Sequence, residues 1–209
     1  AAALLSLFVA FHLAPARAQT VTGDDLAAVM LGQTDLPGFT LTGDGSPPAS
    51  PADVREQRTR IFVTAGEPET LLLLILSAPH PDAVCLPRVR AGVANGEVLG
   101  ALNGDKPNFQ SLGSLGAGDV DAAAMWSDFD AGRGAWYTVS EDVFMRGELA
   151  VYVEAIAYDA PPDGDQLAGW AQLQDAKLLA AAADPASTAG ALARTPVPAS
   201  PADDPAACS

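Results

Sequence analysis

The apolar positions of this chain fall into three rhythms. The first is a solid block: Ala1 to Leu13 is almost unbroken apolar sequence, followed by Ala14-Pro15 and the small-x-small triplet Ala16-Arg17-Ala18 ahead of polar Gln19-Thr20. Such a block is short for a bilayer span, which takes about 20 residues, and has the form of an export signal with its cleavage site. The chain opens on Ala1, with no Met and no basic stretch before the block, so its first residues read as missing. Residues 1–18 are expected to leave, giving a secreted or cell-envelope protein. A retained anchor and a buried N-terminal helix are the alternatives. No Cys stands at the cleavage point, which disfavours a lipid-modified anchor.

The second rhythm is helical. Thr22 caps a short helix over 24–31, with Leu26, Val29 and Met30 on one face and acids in its first turn. A second helix is expected over 82–102, begun or kinked by Pro87 and weakened by Gly92 and Gly96. A third runs from Pro161-Pro162-Asp163-Gly164 to Ala183, with a stripe of Leu167, Trp170, Ala171 and Leu178 that Gln174 interrupts; Asp184-Pro185 stops it.

The third rhythm is that of strands. Phe39–Thr42 and Arg58–Val63 are short candidates, and Leu71–Ser77 is so apolar that burial on both faces, hence a central place in a sheet, is expected. Phe109–Leu115 is a weak strand. Val120–Phe129, Ala135–Met145 and Glu148–Tyr158 alternate cleanly, joined by Ala131-Gly132-Arg133-Gly134 and by a two-residue turn at Arg146-Gly147, and so predict an antiparallel meander. Helix, three strands, helix, about four strands and helix make an α+β chain: an antiparallel sheet of about six to seven strands covered by helices. The expected organisation is a signal at 1–18, one globular domain over 19–183 and an Ala/Pro/Asp-rich tail over 184–209, too poor in apolar surface to fold alone.

Charge narrows the partners. The formal net charge is −15, one unit more negative once Arg17 departs, and such a field repels nucleic acid and anionic membranes. No segment of the mature chain is long enough to span a membrane. The expected partner is an unidentified protein or small molecule outside the cytoplasm. Only two cysteines occur, Cys85 and Cys208. In an oxidising compartment they are a candidate disulfide, and closing so long a loop stabilises by about 4–5 kcal/mol on the chain-entropy account. The alternative is a core Cys85 with Cys208 as a free or intermolecular thiol.

Candidate chemistry is thin. His80, between Pro79 and Pro81, is the one histidine of the mature chain and sits five residues from Cys85; a solvated loop histidine is the default reading, and no Gly-x-Ser-x-Gly elbow accompanies it. Asp119, Asp121, Asp128 and Asp130 cluster, but the calcium-loop pattern fails after Asp128 and Asp130. Gly113, Gly116 and Gly118 lead into a strand, against a phosphate-binding role. Glu141 with Glu154, or Asp142 with Glu148, are candidate carboxylate pairs across the hairpin, without a cleft to work in. Arg55, Arg58 and Arg60 form the one basic cluster, set either for an anion or against nearby acids such as Asp53 and Glu56. Trp126, Trp136, Tyr137 and Tyr152 are core or, on an open face, a binding surface. No catalytic, metal or cofactor motif emerges.

Asp35-Leu36-Pro37-Gly38-Phe39, Gly118-Asp119 before a strand and Phe144-Met145-Arg146-Gly147 at a hairpin resemble a pattern of secreted bacterial proteins, and the element order over roughly 22–183 is similar to PsbP-like proteins and their bacterial lipoprotein relatives of the LpqN type. The resemblance implies an α/β/α sandwich used for binding or assembly. It carries no functional residue, and the lipid-attachment cysteine of the lipoprotein members is missing. The expected role is an exported, non-catalytic binding domain; a secreted hydrolase and a structural envelope protein are the alternatives.

Overall fold

The computed structural model describes residues 20–46, 53–66, 69–80, 83–160 and 164–199. Seven strands, β1 (Phe39–Gly45), β2 (Val54–Thr64), β3 (Thr70–Pro79), β4 (Gln110–Gly113), β5 (Val120–Asp130), β6 (Ala135–Arg146) and β7 (Leu149–Tyr158), form one antiparallel sheet in the order β1-β2-β3-β7-β6-β5-β4. Helices α1 (Gly23–Val29), α4 (Gly164–Ala183) and α5 (Thr188–Arg194) cover its first face; α2 (Leu86–Ala94) and α3 (Glu97–Asn103) lie on the second. The α+β class, the strand count and the β5-β6-β7 meander are as the alternation predicts. The two-residue turn sits one position later than expected: Arg146 pairs with Leu149, leaving Gly147 and Glu148 as the loop, with Gly147 at φ +57°. That left-handed angle suits glycine.

The first face is sealed where the helices cover it. Leu72, Leu74, Leu76, Phe62, Phe144, Val151 and Val153 meet Leu26, Leu167 and Leu178 of the helices at almost no exposure. Each such side chain contributes about 1.5–3 kcal/mol of burial. Gln174, which breaks the apolar stripe of α4, is buried for a polar reason. Its Oε1 accepts from the Leu31 amide at 2.9 Å, and its Nε2 donates to the Val29 carbonyl at 2.9 Å, so it closes the end of α1. Thr22 and Asp25 form a reciprocal capping box at the other end.

The second face is half-covered. Leu71, Leu73 and Ile75 alternate with the buried leucines of β3 but are themselves only partly buried. Burial of β3 on both faces is therefore corrected to one. Two short helices, each about 10 Å across, lie over β5 and β6 and fall short of a seven-stranded sheet about 30 Å wide.

Two further expectations change. The helix over 82–102 is two helices: Gly96 adopts φ +70° between them, and Pro87 sits in the first turn of α2. The tail over 184–209 is in part packed structure. Ser187 caps α5, and Ala189 and Ala193 are buried against the α4 layer. Small residues carry this contact, because a Cβ on Gly190 would collide with the Ala181 carbonyl. Leu192 is the one large apolar residue of α5 and is partly buried against the same core, while glycine and alanines make the close contacts. Residues 1–19 and 200–209, which hold the expected signal and the end of the expected tail, lie outside the described residues.

Candidate functional site

The open half of the second face forms a groove of about 450 Å³ between α3 and strands β3, β7 and β6. Ile75, Val98, Leu102, Val143 and Ala150 supply an apolar lining, and Asn103, Tyr152 and Glu154 stand in the same wall. Strand periodicity places the polar pair: Tyr152 and Glu154 are two apart on β7 and share a face. Glu154 is the register partner of Glu141 on β6, and Tyr152 that of Val143. The break at Gly96 aims α3 across these strands, with Leu99 buried beneath it and Leu102, 57% exposed, at the lip.

These groups form one hydrogen-bonded unit. The Tyr152 hydroxyl lies 2.7 Å from Oε2 of Glu141 and 2.6 Å from Oε2 of Glu154. The Asn103 side-chain nitrogen donates to both oxygens of Glu141, at 2.7 and 3.0 Å. A hydroxyl has one proton, so it serves as donor to one carboxylate and the other contact needs a proton from the carboxyl side. Glu141 is the natural holder. It has no exposed surface, and burial raises its pKa against the lowering effect of the Tyr152 and Asn103 hydrogen bonds, with the Glu154 charge adding to the rise. Burial, then the neighbouring Glu154, also pushes the Tyr152 phenol up and keeps it protonated. Tyr152 thus joins the sealed Glu141 to Glu154 at the groove.

Next to the groove an aromatic ladder crosses the meander. Trp126 and Tyr137 pack edge to face at 5.7 Å, and Tyr137 and Tyr158 are 5.9 Å apart. Lys106 lies over Trp126 at 5.4 Å, and the Arg133 guanidinium over Tyr158 at 4.3 Å. Trp136 points to the opposite face, where it meets Phe129 at 5.6 Å; the two are 57% and 47% exposed.

The candidate residues of the sequence divide sharply. Glu141 and Glu154 do come together, but Tyr152 fills the space between them and Glu141 is sealed, so the pair cannot straddle a sugar linkage as glycosidase chemistry requires. Asp142 and Glu148 do not meet: Asp142 pairs in register with Val153 and Ala123, and Glu148 is in the turn. Asp142 has no exposed surface and its carboxyl oxygens take no hydrogen bond among the described residues; burial, then the Asp121 charge, pushes its pKa up to about 8.

The aspartate cluster is occupied internally. Asp119 accepts from Arg146 Nη1 at 2.5 Å and from the Gly147 amide at 2.8 Å. Asp121 accepts from Ser114, Leu115 and Gly116, which gives the glycine-rich loop a structural task. Asp130 ties its own turn through the Gly132 and Arg133 amides. No group of three metal-binding side chains occurs among the described residues.

Arg58 and Arg60 pair with Asp44 at 2.6 and 3.2 Å, the Glu56 charge also acts on Arg58, and Arg60 Nη1 donates to the Met30 and Leu31 carbonyls. Arg146 holds Asp175 through two bonds, at 2.8 and 2.6 Å. The His80 amide donates to the Asp53 carbonyl at 2.8 Å, in the turn that leads to α2. Cys85 begins α2 and is not a free thiol, which removes it as a nucleophile for His80. Cys208, its expected disulfide partner, lies outside the described residues. Among those residues no helix is long and apolar enough to cross a membrane.

Sequence reasoning found the glutamate pair and Tyr152 but missed Asn103 and the groove. Asn103 reads as a turn residue beside Gly104, and only the break at Gly96 brings it over Glu141. No protein-family model, curated protein or solved structure matches the chain.

Proposed function

We propose that the chain is an exported, non-catalytic binding domain that takes a small, largely apolar ligand in the groove beneath α3. The observation that carries this reading is the groove itself: about 450 Å³ of space, walled by Ile75, Val98, Leu102, Val143 and Ala150, with polar groups converging at Asn103, Tyr152 and Glu154. Binding sites for small molecules are concave, apolar and set with few polar groups in this way. Export rests on the block at 1–18 and is consistent with a Cys85–Cys208 bridge in an oxidising compartment. The layout similarity to PsbP-like proteins, whose sandwich serves binding or assembly, points the same way.

Titration with the uncharged fluorophore N-phenyl-1-naphthylamine tests the groove. Saturable binding that Ala150→Trp, which fills the wall, abolishes without loss of thermal stability supports the reading; no binding, or binding indifferent to that substitution, overturns it. Native production followed by N-terminal sequencing tests export: a mature chain in the medium or envelope beginning near Gln19 is expected, and an intact block in a cytosolic protein refutes export.

A further inference from the structure

Resting on that groove reading, we propose that the ligand is an amphiphile with a primary ammonium head, its apolar body lying along Ile75, Val98, Leu102 and Val143 and its head against Glu154. The balance of donors and acceptors decides the head. At the polar end of the groove every side-chain proton has a destination. The Asn103 nitrogen donates to Glu141, and the Tyr152 hydroxyl is engaged between Glu141 and Glu154. The acceptors are in surplus. Glu154 receives Tyr152 on Oε2, while its Oε1 and the Asn103 side-chain oxygen take no hydrogen bond among the described residues.

A wall that offers acceptors selects a head that donates. Charge then separates the donors. No Lys, Arg or His lines the groove, and the net charge of the chain is −15, so a carboxylate or phosphate head meets repulsion and an alcohol gains one neutral bond. An ammonium carries three donors on one positive centre. Its three protons match the two open acceptors and one water at the half-exposed lip. Ser77, beside Ala150 further along the groove, is two strand positions away from Tyr152's partner Ile75 and serves the body of the ligand, not its head.

Calorimetry of the full chain at pH 7 with octylamine, octanol and octanoate tests the proposal with three probes of equal body and different head. Octylamine is expected to bind about tenfold or more tighter than octanol, the range of a charge-assisted bond, with octanoate weakest. Glu154→Gln is expected to bring octylamine down to octanol while leaving octanol unchanged. If octylamine and octanol bind wild type equally and Ala150→Trp blocks both, the head-group assignment is overturned and the groove stands. If none of the three binds, the groove reading itself fails. The wild-type comparison needs no variant, so misfolding of Glu154→Gln would not alter its outcome.

Discussion

Glu141 and Asp142 are neighbours on β6, have no exposed surface, and point to opposite faces of the sheet. Glu141, on the second face, has Asn103 and Tyr152 as partners; Asp142, on the first, has carboxyl oxygens that take no hydrogen bond among the described residues. Both carboxyls have raised pKa values with burial as the leading cause, yet they have different consequences. Asp142 sits in the sealed half of the molecule as a destabilising element held neutral by its surroundings. Glu141 belongs to the open half, where its hydrogen bonds to Asn103 and Tyr152 lead to the groove. Burial alone therefore does not mark a functional acid here; partners leading to an accessible surface do.

The largest test of this contrast is pH. With a folded pKa of about 8 against an ordinary value of 3.8, Asp142 binds a proton in the folded chain that the unfolded chain has lost. The contribution of the neutral Asp142 is fully present below pH about 4 and is lost as pH rises through about 8, by on the order of 5 kcal/mol at most. Asp142→Asn removes this contribution and leaves that of Glu141, so urea midpoints at pH 5 and pH 8 should lie closer together in the variant than in wild type. Equal pH dependence in the two proteins would break the contrast.

The faces should also differ in packing. Leu74→Ala opens a cavity on the sealed side and is expected to cost about 2–5 kcal/mol, whereas Ile75→Ala, one residue on and half-buried, is expected to cost about 1 kcal/mol; paired denaturation curves compare them directly. Tyr152→Phe should cost about 1–3 kcal/mol by leaving buried acceptors unpaired. Glu141→Gln, which copies the protonated acid, should cost less than Tyr152→Phe by the same measurement. The smallest effect is expected for Arg133→Ala. Its ion pair with Glu69 at 2.9 Å is about half exposed, so a change below about 1 kcal/mol in thermal unfolding is expected.

The sheet was legible because alternation is a local property. Val120–Asp130, Ala135–Arg146 and Leu149–Tyr158 each carry period-two patterns whose register also set Glu141 opposite Glu154. Residues that depend on distant neighbours were not. Leu71, Leu73 and Ile75 look identical in sequence to Leu72, Leu74 and Leu76, and only the reach of α2 and α3 separates them. Gln174 reads as a defect in a stripe until the end of α1 is beside it. The packing of α5 was hidden because glycine and alanine contacts leave no hydrophobic signature. The groove was hidden for a related reason: it is space that helices leave uncovered, and no residue encodes it.

The sheet order has a consequence for synthesis. β3, the most apolar strand, gains its second neighbour only from β7. In a chain that emerges from its N-terminus, β1, β2 and β3 are complete while the inner side of β3 is a bare, leucine-rich edge, and it stays so until Leu149–Tyr158 has been made. Such an edge is a template for mispairing with other chains. A chaperone that holds nascent chains unfolded until they are complete would thus protect this protein more than most, and a truncation ahead of β7 would yield aggregates, not a smaller domain.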